Sequence, residues 1–102
     1  MSTDTEFSNS WEGVVAAAAE AGTRYPELVA AQWALESGWG KHTSGRFNYF
    51  GLKSATLSGT VSTTQEVLPD GTTVTIDARF KDFESLYHAV SYLVDKLSLI
   101  HI

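Results

Sequence analysis

The segment Gln32–Gly40, which reads Gln-Trp-Ala-Leu-Glu-Ser-Gly-Trp-Gly, limits how the rest of this chain can fold. Glu36 ends an apolar helical stretch between two tryptophans, and Gly38 and Gly40 follow it at once. Glycines at this point stop a helix and let other backbone segments come close. An apolar lining disfavours the charged form of a carboxyl group. We therefore expect Glu36 to stay protonated near neutral pH and to be the candidate general acid.

Two helices are predicted before this point. The first has Asn9 or Ser10 as its cap, Gly22 as its stop and one apolar face made of Trp11, Val14, Val15 and Ala18. The second begins at Pro26, where a missing N–H costs nothing. Its predicted core stripe is Leu28, Ala31 and Leu35. Its neighbouring side carries Val29, Gln32, Trp33 and Glu36.

A β-hairpin is predicted next, from Thr60 to Leu68 and from Thr72 to Ile76, because Thr and Val alternate around a Pro-Asp-Gly turn. Strand alternation places Glu66 among hydroxyl groups, on the face that also carries Ser62, Thr64 and Leu68. A last helix follows, with Asp82 as its predicted N-cap and a core stripe of Leu86, Val90, Leu93 and Leu97. The elements together predict a single domain.

Composition excludes several classes of function. The formal net charge of −5 argues against nucleic acid as a partner, which requires clustered Lys and Arg. The chain has no cysteine, so a disulfide framework and a thiolate nucleophile are excluded. No apolar run reaches the roughly 18 residues of a membrane span. The first residues lack the pattern of a secretory signal peptide. The three histidines show no metal-ligand spacing, and we expect no metal and no cofactor.

Two segments together resemble the glucosaminidase domains of glycoside hydrolase family 73, the bacterial and phage peptidoglycan hydrolases that include autolysins and the flagellar rod-cap hydrolase. The first comprises Pro26, Ala31-Gln32 and Ala34–Gly40; the second comprises Asn48, Phe50-Gly51 and Lys53. The resemblance implies a lysozyme-like α+β fold, mainly helical, with a small hairpin lobe over the active-site cleft. It also implies hydrolysis of the β-1,4 bond after N-acetylglucosamine, with peptidoglycan glycan strands as the partner.

The resemblance further implies a second catalytic carboxylate on the hairpin, where Thr64-Gln65-Glu66 matches the family's segment. Glu66 would activate water or stabilise the oxocarbenium ion. Asp70 and Asp77 are weaker candidates. A third route, in which the 2-acetamido group of the sugar is the nucleophile, leaves Glu36 as the only indispensable carboxylate.

Flat aromatic rings and amides near Glu36 are candidate substrate-binding groups: Gln32, Trp39, Asn48, Tyr49 and Phe50. Core packing is the alternative for each aromatic, and it is favoured for Phe50 and Trp33.

The predicted organisation is a flexible tail over residues 1–9, a catalytic domain over residues 10–97 and a non-native tail over residues 98–102. The family usually continues for several more turns, so we expect the chain to be truncated at its C-terminus. A monomer acting on the bacterial cell wall is expected, whether extracellular, periplasmic or phage-borne. The alternatives are a muramidase or lytic transglycosylase and, in another class, a non-catalytic glycan-binding or structural domain.

Overall fold

The computed structural model describes residues 7–56 and 58–100, with side chains through residue 97. Three helices and one two-stranded antiparallel sheet follow one another in the order α1 (Trp11–Glu20), α2 (Pro26–Ser37), β1 (Thr60–Val67), β2 (Thr73–Phe80) and α3 (Leu86–Ile100). The mainly helical α+β architecture predicted from the sequence is confirmed. No helix in the described part of the chain is long and apolar enough to cross a membrane.

The helical core forms where α1 packs against both α2 and α3. Its buried members are Val14, Ala17, Ala18, Val29, Ala30, Trp33, Ala34, Phe50, Phe83, Leu86, Ala89, Val90, Leu93 and Val94. The small side chains of α1 and α2 let their backbones approach closely, and α3 supplies larger aliphatic groups. The first helix begins and ends as predicted, with the Ser10 hydroxyl accepting a bond from the backbone N–H of Gly13 at 3.0 Å.

The predicted core stripe of α2 is wrong. Leu28 and Leu35 are 66% and 83% exposed, and Ala31 is exposed as well. The helix instead buries the neighbouring face, which consists of Val29, Ala30, Trp33, Ala34 and Ser37. The reason is physical: Trp33 offers more apolar area than either leucine, and the small alanines beside it permit close contact with α1.

The hairpin matches its prediction, although β2 runs to Phe80 rather than to Ile76. Its register pairs Thr60 with Phe80 at the base and Val67 with Thr73 at the tip. Residues 52–54 lie beside the base as a short third segment. Lys53 forms an antiparallel bridge with Phe80, and the backbone N–H of Ser54 donates to the Arg79 carbonyl at 2.8 Å. The sheet is therefore tied to the loop that precedes it.

The stripe of α3 is confirmed, but the predicted N-cap is wrong. Ser85 caps the helix, because its hydroxyl accepts a bond from the backbone N–H of His88 at 3.0 Å. Asp82 lies four residues before α3 and accepts bonds from the backbone N–H of Arg46 and the Thr60 hydroxyl, both at 2.7 Å. These bonds hold the pKa of Asp82 below its ordinary value, the Arg46 bond contributing most. Asp82 thus joins a loop to the hairpin base.

Flexibility of the N-terminal tail through residue 9 stays a prediction, and residues 7 and 9 of that tail contact other segments in the structure. The Phe7 ring stacks on Tyr87 with centroids 5.5 Å apart, and Asn9 is bonded to two other segments. Residues 1–6 lie outside the described residues. At the other end α3 continues through Ile100, while residues 101–102 of the predicted non-native tail lie outside the described residues.

Candidate active site

Glu36 lies at the exposed C-terminal end of α2, one residue before the helix ends. The predicted burial of its side chain is wrong, because α2 turns its Trp33 face inward and leaves Glu36 in solvent. The carboxylate faces another backbone segment: Oε2 lies 4.0 Å from the position that a Cβ atom would take on Gly51. The end of α2 and the loop that contains Gly51 lie next to each other at Glu36, but on the protein surface and not in the buried environment that was predicted.

The turn after Glu36 is held in an unusual conformation. Gly38 ends α2 in the left-handed region, with a φ of 58°, and Trp39 and Gly40 follow with φ of 60° and 84°. The left-handed region is costly for a residue that carries a side chain such as Trp39. The Ser37 hydroxyl steadies the turn by accepting a bond from the backbone N–H of Gly40 at 2.7 Å. The chain therefore reverses sharply within four residues of the candidate acid.

This conformation displays the Trp39 side chain, which is 62% exposed. Its ring lies 5.9 Å from the ring of Trp33, edge to face, and 5.9 Å from the ring of Trp11 at a tilt of 33°. Trp33 is 1% exposed and belongs to the core, as the sequence favoured. The three rings form a cluster in which Trp39 offers a supported apolar surface to solvent.

Asn9 fastens this cluster from the N-terminal side. Its Oδ1 accepts a bond from Nε1 of Trp33 at 3.0 Å, and its Nδ2 donates to the Gly40 carbonyl at 2.9 Å. A Cβ atom on Gly40 would lie 2.4 Å from Asn9 Oδ1 and 2.8 Å from Trp33. Gly40 is thus required both by its positive φ and by the closeness of Asn9. Sequence reasoning considered Asn9 only as a helix cap, since nothing in the sequence pattern connects residue 9 with residue 40.

The loop opposite Glu36 is organised by Asn48, which is fully buried. Its amide nitrogen donates to the carbonyls of Leu52 and Lys81 at 2.8 and 2.9 Å, and its amide oxygen accepts from the backbone N–H groups of Leu52 and Phe50 at 3.0 and 3.4 Å. The side chain is bonded inside the protein at both ends. Its geometry therefore supports a positioning role for Asn48, in which it fixes the loop and the end of β2 together.

The loop presents its other residues differently. Phe50 is 2% exposed, so its ring anchors the loop in the core and offers no face to a ligand in this structure. Tyr49 is half-buried, and burial raises the pKa of its hydroxyl above the ordinary value. Gly51, with a φ of 63°, carries the backbone past Glu36. The loop therefore carries Gly51 past Glu36 and holds Phe50 in the core.

Glu66 shares a face of β1 with Ser62 and Thr64, as strand alternation predicted, and this face is the less exposed one. Its Oε1 lies 2.9 Å from Nζ of Lys53. Both side chains keep about half of their surface in solvent, at 55% for Lys53 and 42% for Glu66. Glu36 and Glu66 lie against the same loop, because Gly51 faces the Glu36 carboxylate and Lys53 contacts the Glu66 carboxylate. Sequence reasoning matched Lys53 to the family's motif without giving it a role.

Gln32 lies one turn before Glu36 and is half-buried. It lines a cavity of about 780 Å³ together with Gly22, Thr23, Arg24, Tyr25, Leu28, Val29, Val94 and Leu97. The structure thus places Gln32 at a groove between α2 and α3. Within residues 7–56 and 58–100, no group of three or more His, Asp or Glu side chains is arranged to hold a metal ion.

Comparisons with solved structures agree with this architecture. The catalytic domain of the autolysin Auto from Listeria monocytogenes superposes with a TM-score of 0.72 at 24% identity over 85% of this chain, a likeness that concerns the fold. A C-terminally truncated glycoside hydrolase domain from Salmonella typhimurium FlgJ has a TM-score of 0.59 at 32% identity over 84% of this chain. A peptidoglycan hydrolase mutant from Sphingomonas sp. A1 has a TM-score of 0.64 at 26% identity over 88% of this chain. The chain spans 53%, 64% and 63% of the lengths of these three solved chains, in that order.

No curated protein matches the sequence significantly. A family model does match: the glucosaminidase model, described as mannosyl-glycoprotein endo-beta-N-acetylglucosaminidase, covers residues 12–99. This range includes both segments that carry the resemblance noted in the sequence, together with α2, the hairpin and nearly all of α3. The chain belongs to the glucosaminidase family.

Proposed function

We propose that this chain is a peptidoglycan hydrolase domain that cleaves the β-1,4 bond after N-acetylglucosamine, with Glu36 as the general acid. The observation that carries the proposal is the position of Glu36. It stands exposed at the end of α2, 4.0 Å from the Cβ position of Gly51, within the sequence segment that matches the family. A carboxyl group presented at a surface between two backbone segments can reach the oxygen of a long glycan strand.

Peptidoglycan is the proposed substrate because of the relatives' names. The family description names an N-acetylglucosaminidase acting on mannosyl-glycoproteins. Two solved relatives above 25% identity are named instead as a peptidoglycan hydrolase and as a glycoside hydrolase domain. The family description and the names of the two solved relatives share the cleavage of a glycan. The name of the peptidoglycan hydrolase favours the bacterial cell wall as the place of action.

In the proposed reaction, Glu36 donates its proton to the glycosidic oxygen as the bond to the anomeric carbon breaks. Because Glu36 is exposed in the free protein, the bound glycan has to supply the desolvation that the protein does not. Trp39 is proposed to contribute its exposed ring to the apolar face of a sugar, and Gln32 and Tyr49 are proposed to contribute polar groups to the bound glycan. Asn48 is proposed to act through the loop it holds.

Glu66 is the proposed second catalytic carboxylate, which activates a water molecule or stabilises the oxocarbenium ion. It stands on the hairpin face that includes Ser62 and Thr64, and Lys53 holds it toward the loop beside Glu36. A route in which the 2-acetamido group of the sugar attacks the anomeric carbon would make Glu66 dispensable. The variant Glu66→Gln separates the two routes.

The test is mass spectrometry of soluble fragments released from purified peptidoglycan by the wild type and by Glu36→Gln. Glu27→Gln is a matched control, because Glu27 is exposed in the first turn of the same helix. New reducing N-acetylglucosamine ends are expected from the wild type and from the control, and none from Glu36→Gln. Reducing or anhydro-muramic ends would assign a muramidase or a lytic transglycosylase instead. Binding without fragments, from a protein shown to be folded by circular dichroism, would refute the enzymatic proposal and favour a glycan-binding domain.

A further inference from the structure

The hairpin is curved over the loop that contains Gly51. Lys53 is bridged to Phe80, which pairs with Thr60 at the hairpin base. Glu66 lies six residues beyond Thr60 on β1, so a straight strand would carry it about 20 Å from the base. A lysine side chain is much shorter than that, yet Nζ of Lys53 reaches within 2.9 Å of Glu66 Oε1. The strand must therefore bend back toward Lys53.

Side-chain exposure along β1 agrees with this curvature. Residues at alternate positions, Ser62, Thr64 and Glu66, are partly covered, whereas Val61, Thr63, Gln65 and Val67 are exposed. The partly covered residues form the inner face of the hairpin, which turns toward the loop. Lys53 approaches from the loop side, so one ion pair closes the space between the loop and the hairpin.

We infer that Lys53 is a positioning residue that holds the hairpin closed and keeps the Glu66 carboxylate beside the loop that passes Glu36. The inference rests on the proposed function, since it assigns Glu66 a catalytic task. Within residues 7–56 and 58–97, where side chains are described, the Lys53–Glu66 contact is the one ion pair between oppositely charged side chains. Lys53 is also fixed at its backbone by the bridge to Phe80, so its side chain extends from a defined position at the hairpin base.

The Lys53–Glu66 ion pair is exposed, and its exposure limits how strongly it can hold the hairpin. Both side chains keep about half of their surface in solvent, so the attraction between them is weak and is screened by salt. A weak pair is suited to a lobe that opens and closes, because an enzyme cutting within a long glycan strand has to admit the strand from the side. The pair favours the closed hairpin without locking it.

The first arm of the test needs no substrate. Backbone amide hydrogen exchange of residues 60–67 and 73–80 is compared among the wild type, Lys53→Met, Glu66→Gln and Lys53→Arg. Faster exchange, by up to about fivefold, is expected for Lys53→Met and Glu66→Gln, and near wild-type exchange for Lys53→Arg. Asp77→Asn is the control, because Asp77 is an exposed carboxylate of the same hairpin, paired with Thr63 of the outer face. Unchanged exchange in both pair-breaking variants would overturn the inference.

The second arm measures kcat/KM on peptidoglycan as ionic strength rises. Lys53→Met is expected to lose up to about fivefold and to respond less to salt than the wild type, and Lys53→Arg is expected to regain the loss. The charge-reversed double variant K53E/E66K should restore slow exchange but not activity, because the carboxylate has moved to the loop. Loss of activity in Lys53→Met with unchanged exchange would overturn the inference. The wild type could release no fragments from peptidoglycan while the variants still show the exchange differences expected above. That result would refute the proposed function and still support closure of the hairpin by Lys53.

Discussion

Replacing Asn9 by alanine tests how much one side chain that is bonded to two other segments contributes to stability. Asn9 joins the N-terminal segment to the turn after Glu36 through Nε1 of Trp33 and the carbonyl of Gly40. Trp33 is 1% exposed and its bond to Asn9 is partly buried, so water replaces the lost Asn9 side chain only in part. An unsatisfied buried donor costs about 1–3 kcal/mol, and the more accessible bond to Gly40 adds about 0.5–1 kcal/mol. We expect the free energy of unfolding to fall by about 2–3 kcal/mol.

The assay is urea unfolding followed by tryptophan fluorescence and circular dichroism, with thermal melting as a second measure. A loss of about 2 kcal/mol corresponds to a melting temperature lower by roughly 8–16 °C for a domain of this size. Asn9→Asp is the matched comparison: it keeps an acceptor for Trp33 but sets a carboxylate oxygen against the Gly40 carbonyl. A loss below about 0.5 kcal/mol in Asn9→Ala, with unchanged fluorescence of the folded state, would show that Asn9 does not hold the turn.

Three further changes test other parts of the structure. Asn48→Ala removes four hydrogen bonds from a buried site and is expected to cost about 3 kcal/mol in a urea titration, with loss of peptidoglycan cleavage because the Gly51 loop is released. The pKa of Asp82 is lowered in the folded state, so its stabilising effect is present above pH of about 4 and is lost as the pH falls through the pKa of the folded state. Asp82→Asn should therefore flatten the dependence of the unfolding free energy on pH in that acidic range. Leu35→Ser should change the unfolding free energy by less than about 0.5 kcal/mol, whereas Val29→Ala should cost about 2 kcal/mol, and the reverse order would contradict the observed burial of α2.

Local signals in the sequence predicted the order of the elements well. The Ser10 cap, the Pro26 start and the Gly38 stop each depend on the chemistry of one residue and its neighbours, and all three are found where expected. The hairpin was equally accessible, because two-residue alternation and a Pro-Asp-Gly turn act over short distances. The prediction for the last helix was wrong only at its start, where Ser85 and not Asp82 forms the N-cap.

Burial around α2 was predicted less well, because it depends on partners distant in sequence. An apolar stripe that included Leu35 and a stripe that included Trp33 were both available on this helix. Contact with α1 selected the second, and this choice left Glu36 in solvent. The same contact gave Asn9 its two partners, which no spacing in the sequence indicates.

The helices, the hairpin, the turn after Glu36 and the family could be predicted from the sequence, since each depends on neighbouring residues or on a matched segment. Three features depend instead on the packing of distant segments: the buried face of α2, the internal hydrogen bonds of Asn48, and the contact between Lys53 and Glu66. These contacts join residues from separate segments, and the free energy that selects among them comes from packing and hydrogen bonding between whole elements. Sequence periodicity can set out such alternatives, but it carries no information about which neighbour will cover which face.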